Sequence, residues 1–149
     1  MTAKKPSQRT APATPPSAPS KDLQVFPNPA PERDYVIHFD VPEFTCLCPL
    51  TGQPDFAHFR IDIVADKLCV ELRSLKMYFW SYRNDGAFHE GVTNTVVSDI
   101  VKAIQPRFVR VHADWFVRGG IGTVVIAEHR KKGWKPAPRV DLPGPQLNV

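Results

Sequence analysis

From Tyr35 onward the chain alternates apolar and polar residues. Ile37, Phe39 and Val41 fall on one side, His38 and Asp40 on the other, the two-residue period of a half-buried strand. "HFRIDIVAD" repeats it, with Phe59, Ile61 and Ile63 opposite Arg60 and Asp62. A turn at Ala65-Asp66-Lys67 followed by "LCVEL" predicts a short returning strand. The period then changes. In "SLKMYFWSYRNDG", Leu75, Phe79 and Tyr82 recur at helical spacing, with Ser74 as N-cap and Gly86 as the stop. "HEGVTNTVVSDIVKAIQP" predicts a longer helix, because Val92, Val96, Ile100 and Ile104 form an i, i+4 stripe that Pro106 ends. "RFVRVHADWFV" and "GTVVIAEHR" return to strand across a turn at Gly119-Gly120.

Strands, two consecutive helices and strands again predict an α+β domain, an antiparallel sheet with two consecutive helices on one face. Such a sheet leaves open edges. Edges invite pairing with another chain, so assembly into a homo-oligomer is expected.

Composition sets the boundaries. At 149 residues the chain holds one core. Of its 16 prolines, eight fall in residues 1–34, where Phe26 is the one aromatic. That stretch buries too little apolar surface to offset ordering and is expected to be a flexible or extended arm. Residues 35–134 then form the folded unit and 135–149 a tail. No apolar run suggests a targeting peptide or a membrane span. Three cysteines, an odd number with no signal peptide, point to a reducing, cytoplasmic setting. The net charge of +4 suits an anionic ligand, and a solvated basic surface equally well.

Chemistry concentrates in a few places. Cys48 precedes Pro49 at a strand end, where side chains become accessible, whereas Cys69 and Cys46 read as small buried hydrophobes. A nucleophilic cysteine needs a route to thiolate and a nearby proton donor. Asp55 is a candidate donor, since "TGQP" turns the chain back, and equally a turn-capping aspartate. Glu71, Arg73 and Lys76 cluster at a strand-to-helix junction, where a phosphate-rich ligand or plain solvent fits. In "FHE", Glu90 can accept two hydrogen bonds from a ring with adjacent N–H donors, or cap a helix. Arg118 precedes glycines that admit a ligand close to the backbone or simply form a hairpin. Rossmann, P-loop, H-E-x-x-H and zinc-ribbon patterns are missing, so no metal is expected.

"CPLTGQPDF", "VELRSLKMYFWSYRNDGAFHE" and "VRGG", in that order, closely resemble the short form of the NADPH-dependent nitrile reductases of queuosine biosynthesis. That family converts 7-cyano-7-deazaguanine (preQ0) to 7-aminomethyl-7-deazaguanine (preQ1). The resemblance spans roughly residues 35–130. The family signature is E, then S or L, K, S or A, an apolar residue, K and an aromatic. It reads "ELRSLKMY" here, with Arg73 in place of the usual lysine.

The resemblance implies the tunnelling fold shared with GTP cyclohydrolase I, in which sheets of several subunits join into a barrel and purine-like rings bind at subunit interfaces. It also implies roles. Cys48 attacks the nitrile carbon to give a covalent thioimide, Asp55 shuttles protons, and two NADPH are consumed. His89 and Glu90, with Val70, Glu71 and Leu72, hold the deazaguanine, while Arg73, Lys76 and Arg118 hold the NADPH phosphates. Two rival readings stand beside this one. A zinc cyclohydrolase acting on GTP would have to use Cys46, Cys48 and His89. A tRNA-binding module would rest on the pI and the basic arm, but RRM-type stacking motifs are missing, so no direct nucleic-acid partner is expected.

Overall fold

The structure is a computed structural model that describes residues 17–136. Its elements in chain order are β1 (Val25–Pro27), β2 (Val36–Leu47), β3 (Pro54–Val64), β4 (Leu68–Val70), α1 (Leu72–Trp80), α2 (His89–Ile104), β5 (Phe108–Arg118) and β6 (Ile121–Arg130). Four strands form one antiparallel sheet in the order β2-β3-β5-β6, and β1 pairs with β4 in a separate two-stranded sheet.

The alternation decides which face is covered. Phe59, Ile61 and Ile63 of β3 and Val109, Val111, Ala113 and Trp115 of β5 are buried in one cluster with Val92, Val96, Ile100 and Ile104 of α2. Helix α2 therefore lies on the apolar face with its predicted stripe inward. It ends at Gln105, which takes a left-handed conformation (φ 46°) just before Pro106. On the opposite face β2 and β3 are polar, where His38 Nδ1 meets Asp62 Oδ1 at 2.7 Å and His58 Nε2 meets Asp40 Oδ1, whereas β6 brings Val124 and Ile126 to the same face. In β2 the register slips between Val41 and Phe44. Pro42 lies in that interval and has no N–H for the ladder, the usual reason for a bulge at a sheet edge. β2 and β6 are the outer strands of the four-stranded sheet, and each has a strand partner on one side only among the described residues.

Four sequence expectations change. Helix α1 ends at Trp80 with Ser81 as its C-cap, so Gly86 is not its stop and Tyr82 lies past its end. The strand "LCVEL" does not return on β3, because both sides of β3 are already taken by β2 and β5; β4 pairs with β1 instead. Ser74 is not the N-cap of α1. Glu71 is, and its carboxylate accepts from the main-chain N–H of Arg73 (2.8 Å) and Ser74 (2.7 Å).

The arm expected over residues 1–34 is, from residue 20 onward, part of the folded body. Val25–Pro27 pair with Leu68–Val70, Asn28 is buried, and Arg107 donates to the carbonyls of Pro31 and Arg33 and to Asp34. Prolines disguised this. Pro27 closes β1, and Pro29 and Pro31 follow in a stretch held by main-chain and side-chain bonds that composition does not reveal. Residues 1–16 of that arm, and 137–149 of the expected tail, lie outside the described residues.

Candidate active site

Strand β2 stops at Leu47, and the next residues fold into a tight loop. Cys48 N–H donates to the Gln53 carbonyl (2.8 Å) and Gly52 N–H to the Cys48 carbonyl (2.9 Å). Gly52 sits at φ 69°, a conformation that other L-residues adopt only with strain. The connection between the helices braces the loop from behind. Leu47 N–H donates to Asp85 O, and Ala87 N–H to Leu47 O, at 2.9 and 3.0 Å. A Cβ on Gly86 would stand 3.4 Å from the Pro49 Cα, so the smallest residue occupies the closest approach.

The loop returns the chain so that Asp55 pairs with Cys46 in the β2–β3 ladder. Asp55 is 3% exposed, and a buried carboxylate needs partners. Arg118, at the end of β5, supplies them: Nη1 donates to Oδ2 at 3.0 Å. The same nitrogen stands 2.7 Å from Oδ1, yet Oδ1 has no aligned donor, so the contact there is one of charge rather than a directed hydrogen bond. His89 Nε2 lies 3.3 Å from Oδ2. The His89 ring stacks on Trp115, centroids 3.8 Å apart and 5° from parallel, which fixes its plane.

The two cysteines have opposite characters. Hydrogen bonds from the Thr51 hydroxyl, then the Arg118 guanidinium, then the main-chain N–H groups of Leu50 and Thr51 bring the Cys48 thiol down to about 6. Burial, reinforced by the Asp55 charge, pushes Cys46 up to about 11. Near neutral pH Cys48 is therefore the thiolate. Cys69 is buried in β4, as read from the sequence.

A cavity of about 600 Å³ opens beside this group, lined by Gln53, His89, Phe116, Arg118 and Ile121 among others. Glu90, next to His89 in the first turn of α2, is exposed, and its carboxylate has no bond among the described residues.

The remaining site candidates sit elsewhere in the chain. Val70 is buried in β4, Glu71 is occupied as the α1 cap, and Leu72 is 64% exposed. Leu72 and Lys76 line a separate cavity of about 440 Å³ with Phe79, Trp80 and Arg83. Arg73 borders a third, of about 240 Å³, between the start of α1 and residues 17–24. Within one chain, then, Cys48, Asp55, His89 and Arg118 come together, whereas Arg73 and Lys76 do not join Arg118. Sequence reasoning missed Thr51 and Trp115. Thr51 was legible as a hydroxyl inside the cysteine turn, but the stacking of Trp115 on His89 depends on bringing β5 against α2.

The family model described as QueF-like protein matches residues 54–134. The chain is 62% identical over 124 residues to an NADPH-dependent 7-cyano-7-deazaguanine reductase of Alkalilimnicola ehrlichii, covering 83% of this chain and 96% of that one. It is 61% identical over 127 residues to the protein so named in Nitrosospira multiformis, covering 85% and 91%. Among solved structures it is similar to the apo form of the archaeosine synthase QueF-Like, with a TM-score of 0.58 and 18% identity over 62% of this chain and 91% of that one. At that identity the likeness speaks to the fold, which is the α+β tunnelling fold.

Proposed function

Because the chain belongs to the QueF-like protein family, we propose that it is an NADPH-dependent 7-cyano-7-deazaguanine reductase, producing preQ1 for queuosine biosynthesis. The observation that carries the reading is the meeting of buried Asp55 with His89 and Arg118 at the end of the loop that holds Cys48, whose thiol Thr51 and Arg118 lower to about 6.

A nitrile carbon is an electrophile that a thiolate adds to. In the proposed step the Cys48 Sγ forms a bond to that carbon and one C–N π bond opens onto nitrogen. The proton given up by the thiol is held by the Asp55–His89 pair and passes to that nitrogen, so the thioimide forms with no leaving group. Asp55 is the group that meets the nitrogen, and His89, 3.3 Å away, is its proton reservoir. The Trp115 stack keeps that donor in register. Glu90 takes the adjacent N–H donors of the pyrimidine edge, a charge-assisted pair that orients the nitrile toward Cys48.

The residues present fit NADPH. Arg118 is 39% exposed at its side chain and borders the cavity beside Cys48, while Lys76 and Arg83 border the other with Trp80 between them. Phosphates would pair with these cations and with Arg73. NADPH supplies hydride, two molecules giving the four electrons that take a nitrile to an amine.

The separation of the two groups of residues supports a site made by two chains. The edges of β2 and β6, which have no further strand partner among the described residues, are where a second copy would add. Val70–Leu72, Arg73 and Lys76 of one subunit would then face Cys48, Asp55, His89 and Glu90 of the next, in a barrel of joined sheets. Among the described residues no helix is long and apolar enough to cross a membrane, and three free cysteines fit a cytoplasmic enzyme.

Incubation with preQ0 and NADPH, followed by cofactor absorbance and by the mass of the product, tests the proposal. It expects two NADPH oxidised per amine released. No oxidation, or one NADPH per product, would contradict it.

A further inference from the structure

Residues 20–28 run alongside the segment from Asp66 to Met77 and are bonded to it at Ser20 and from Gln24 to Asn28. Ser20 N–H donates to Met77 O (3.2 Å) and Asn28 N–H to Lys67 O (2.9 Å). The Asn28 side chain donates to Asp66 O at 2.7 Å. Between these ends, Val25 pairs with Val70, Phe26 with Cys69 and Pro27 with Leu68. Lys21 closes the outer side, 2.9 Å from Asp85 Oδ2 and 3.5 Å above the Tyr82 ring.

The tightest coupling is at Gln24. Its main-chain N–H donates to Ser74 Oγ (2.9 Å), and its carbonyl accepts from Glu71 N–H (2.8 Å). Ser74 Oγ in turn donates to the Glu71 carbonyl at 2.8 Å, and the Glu71 carboxylate caps the helix through Arg73 and Ser74. Gln24, Glu71 and Ser74 thus form a closed set of bonds around the point where β4 becomes α1. Val70, Leu72 and Arg73 are the chain neighbours of Glu71 at this turn. These are the residues that, on the proposed function, meet substrate and cofactor from one side of the site.

We propose that residues 20–28 are a positioning strap for this turn, latched by the Gln24 main chain on Ser74 and Glu71. The strap sets the direction in which Leu72 and Arg73 project, and it shares a wall with Arg73. Ser17, Ser20 and Asp22 on its side and Glu71, Arg73 and Ser74 on the other line the cavity of about 240 Å³ between them. The α1 helix itself does not depend on the strap, since its cap is internal. What the strap fixes is the angle at which strand passes into helix. Alanine at position 74 would keep the helix but leave the Gln24 amide without its acceptor.

The inference rests on the proposed function, and its test separates the two. Gln24→Pro removes the N–H at an exposed position and leaves the carbonyl that Glu71 uses, while also fixing φ at residue 24 and favouring extended backbone at Leu23. Ser74→Ala removes the acceptor. Each is expected to raise the KM for preQ0 or NADPH about fivefold, the equivalent of one hydrogen bond, with kcat nearly unchanged. The double variant should cost no more than Ser74→Ala alone, because both break the same latch. Hydrogen exchange at the Glu71 amide, which donates to the strap, should accelerate in both, while the Arg73 amide, held by the internal cap, should keep its wild-type rate.

Faster exchange with unchanged KM values would make the strap a structural element only and overturn the proposal. So would slow, wild-type exchange in Gln24→Pro. Additive losses in the double variant would also contradict it. A wild-type chain without reductase activity would sink the functional reading instead, and the latch would then be judged on exchange alone.

Discussion

Arg118 Nη1 stands 2.7 Å from Asp55 Oδ1, across 63 residues of sequence. The pair joins the end of β5 to the start of β3 and places a cation beside both the buried carboxylate and the Cys48 thiol. An arginine expected from the resemblance to serve a cofactor phosphate is thus also a neighbour of the groups proposed to react. If Arg118 releases Asp55 to meet a phosphate, cofactor binding and the freedom of Asp55 to move a proton are linked through one side chain.

Asp55→Asn tests the proton role. The amide keeps the shape of the carboxylate and can still bond His89 and Arg118 through its oxygen, but it cannot carry the proton to nitrogen. Turnover is expected to fall by about 100-fold or more, the usual scale for a general acid–base group, with the thermal midpoint moved much less. Steady-state rates beside a melting curve check this. Near-normal turnover in a folded Asp55→Asn protein would remove Asp55 from the reaction.

The thiol of Cys48 sets a pH profile. A thiol lowered to about 6 is mostly protonated below that pH and mostly thiolate above it. Alkylation of Cys48 by iodoacetamide should therefore rise through pH 6 and level off by neutrality. Thr51→Val removes the first cause of the lowering, so its profile should move to higher pH. Peptide mapping distinguishes Cys48 from buried Cys46 and Cys69. A Cys48 profile that still climbs above pH 8 in the unaltered protein would contradict the assignment.

The periodic parts of the chain were legible in advance and the junctions were not. The Val92-Val96-Ile100-Ile104 stripe and the alternation in Phe59-Ile61-Ile63 report burial directly, and both lie where the pattern put them. The partner of β4 was not readable, because a three-residue strand carries no period and its mate lies more than 40 residues back among prolines. At the site, Cys48 and Asp55 could be linked from sequence, since one short loop joins them. The approach of His89 and Arg118 to Asp55 could not, because it needs α2 and β5 to pack over the same corner.

Assembly is the next expectation. Phe116, Val124 and Ile126 are 58%, 53% and 57% exposed on β5 and β6, and Phe56 lies 6.2 Å from Phe116 between ring centroids. Apolar groups in such a patch mark a covered surface. The intact protein should be a homo-oligomer by light scattering. Ile126→Lys should lower its mass and its turnover together. A fully active monomer at assay concentration would refute the two-chain site.

The nucleophile decides the account. With preQ0 present and NADPH withheld, addition can occur and hydride transfer cannot, so the thioimide should accumulate. Intact mass spectrometry should show the protein heavier by one whole substrate molecule, because addition expels nothing. Peptide mapping should place that mass on Cys48, and Cys48→Ala should abolish both the adduct and turnover while Cys46→Ala leaves them almost unchanged. An adduct on Cys46, or a Cys48→Ala protein that still reduces the nitrile at a comparable rate, would contradict the mechanism.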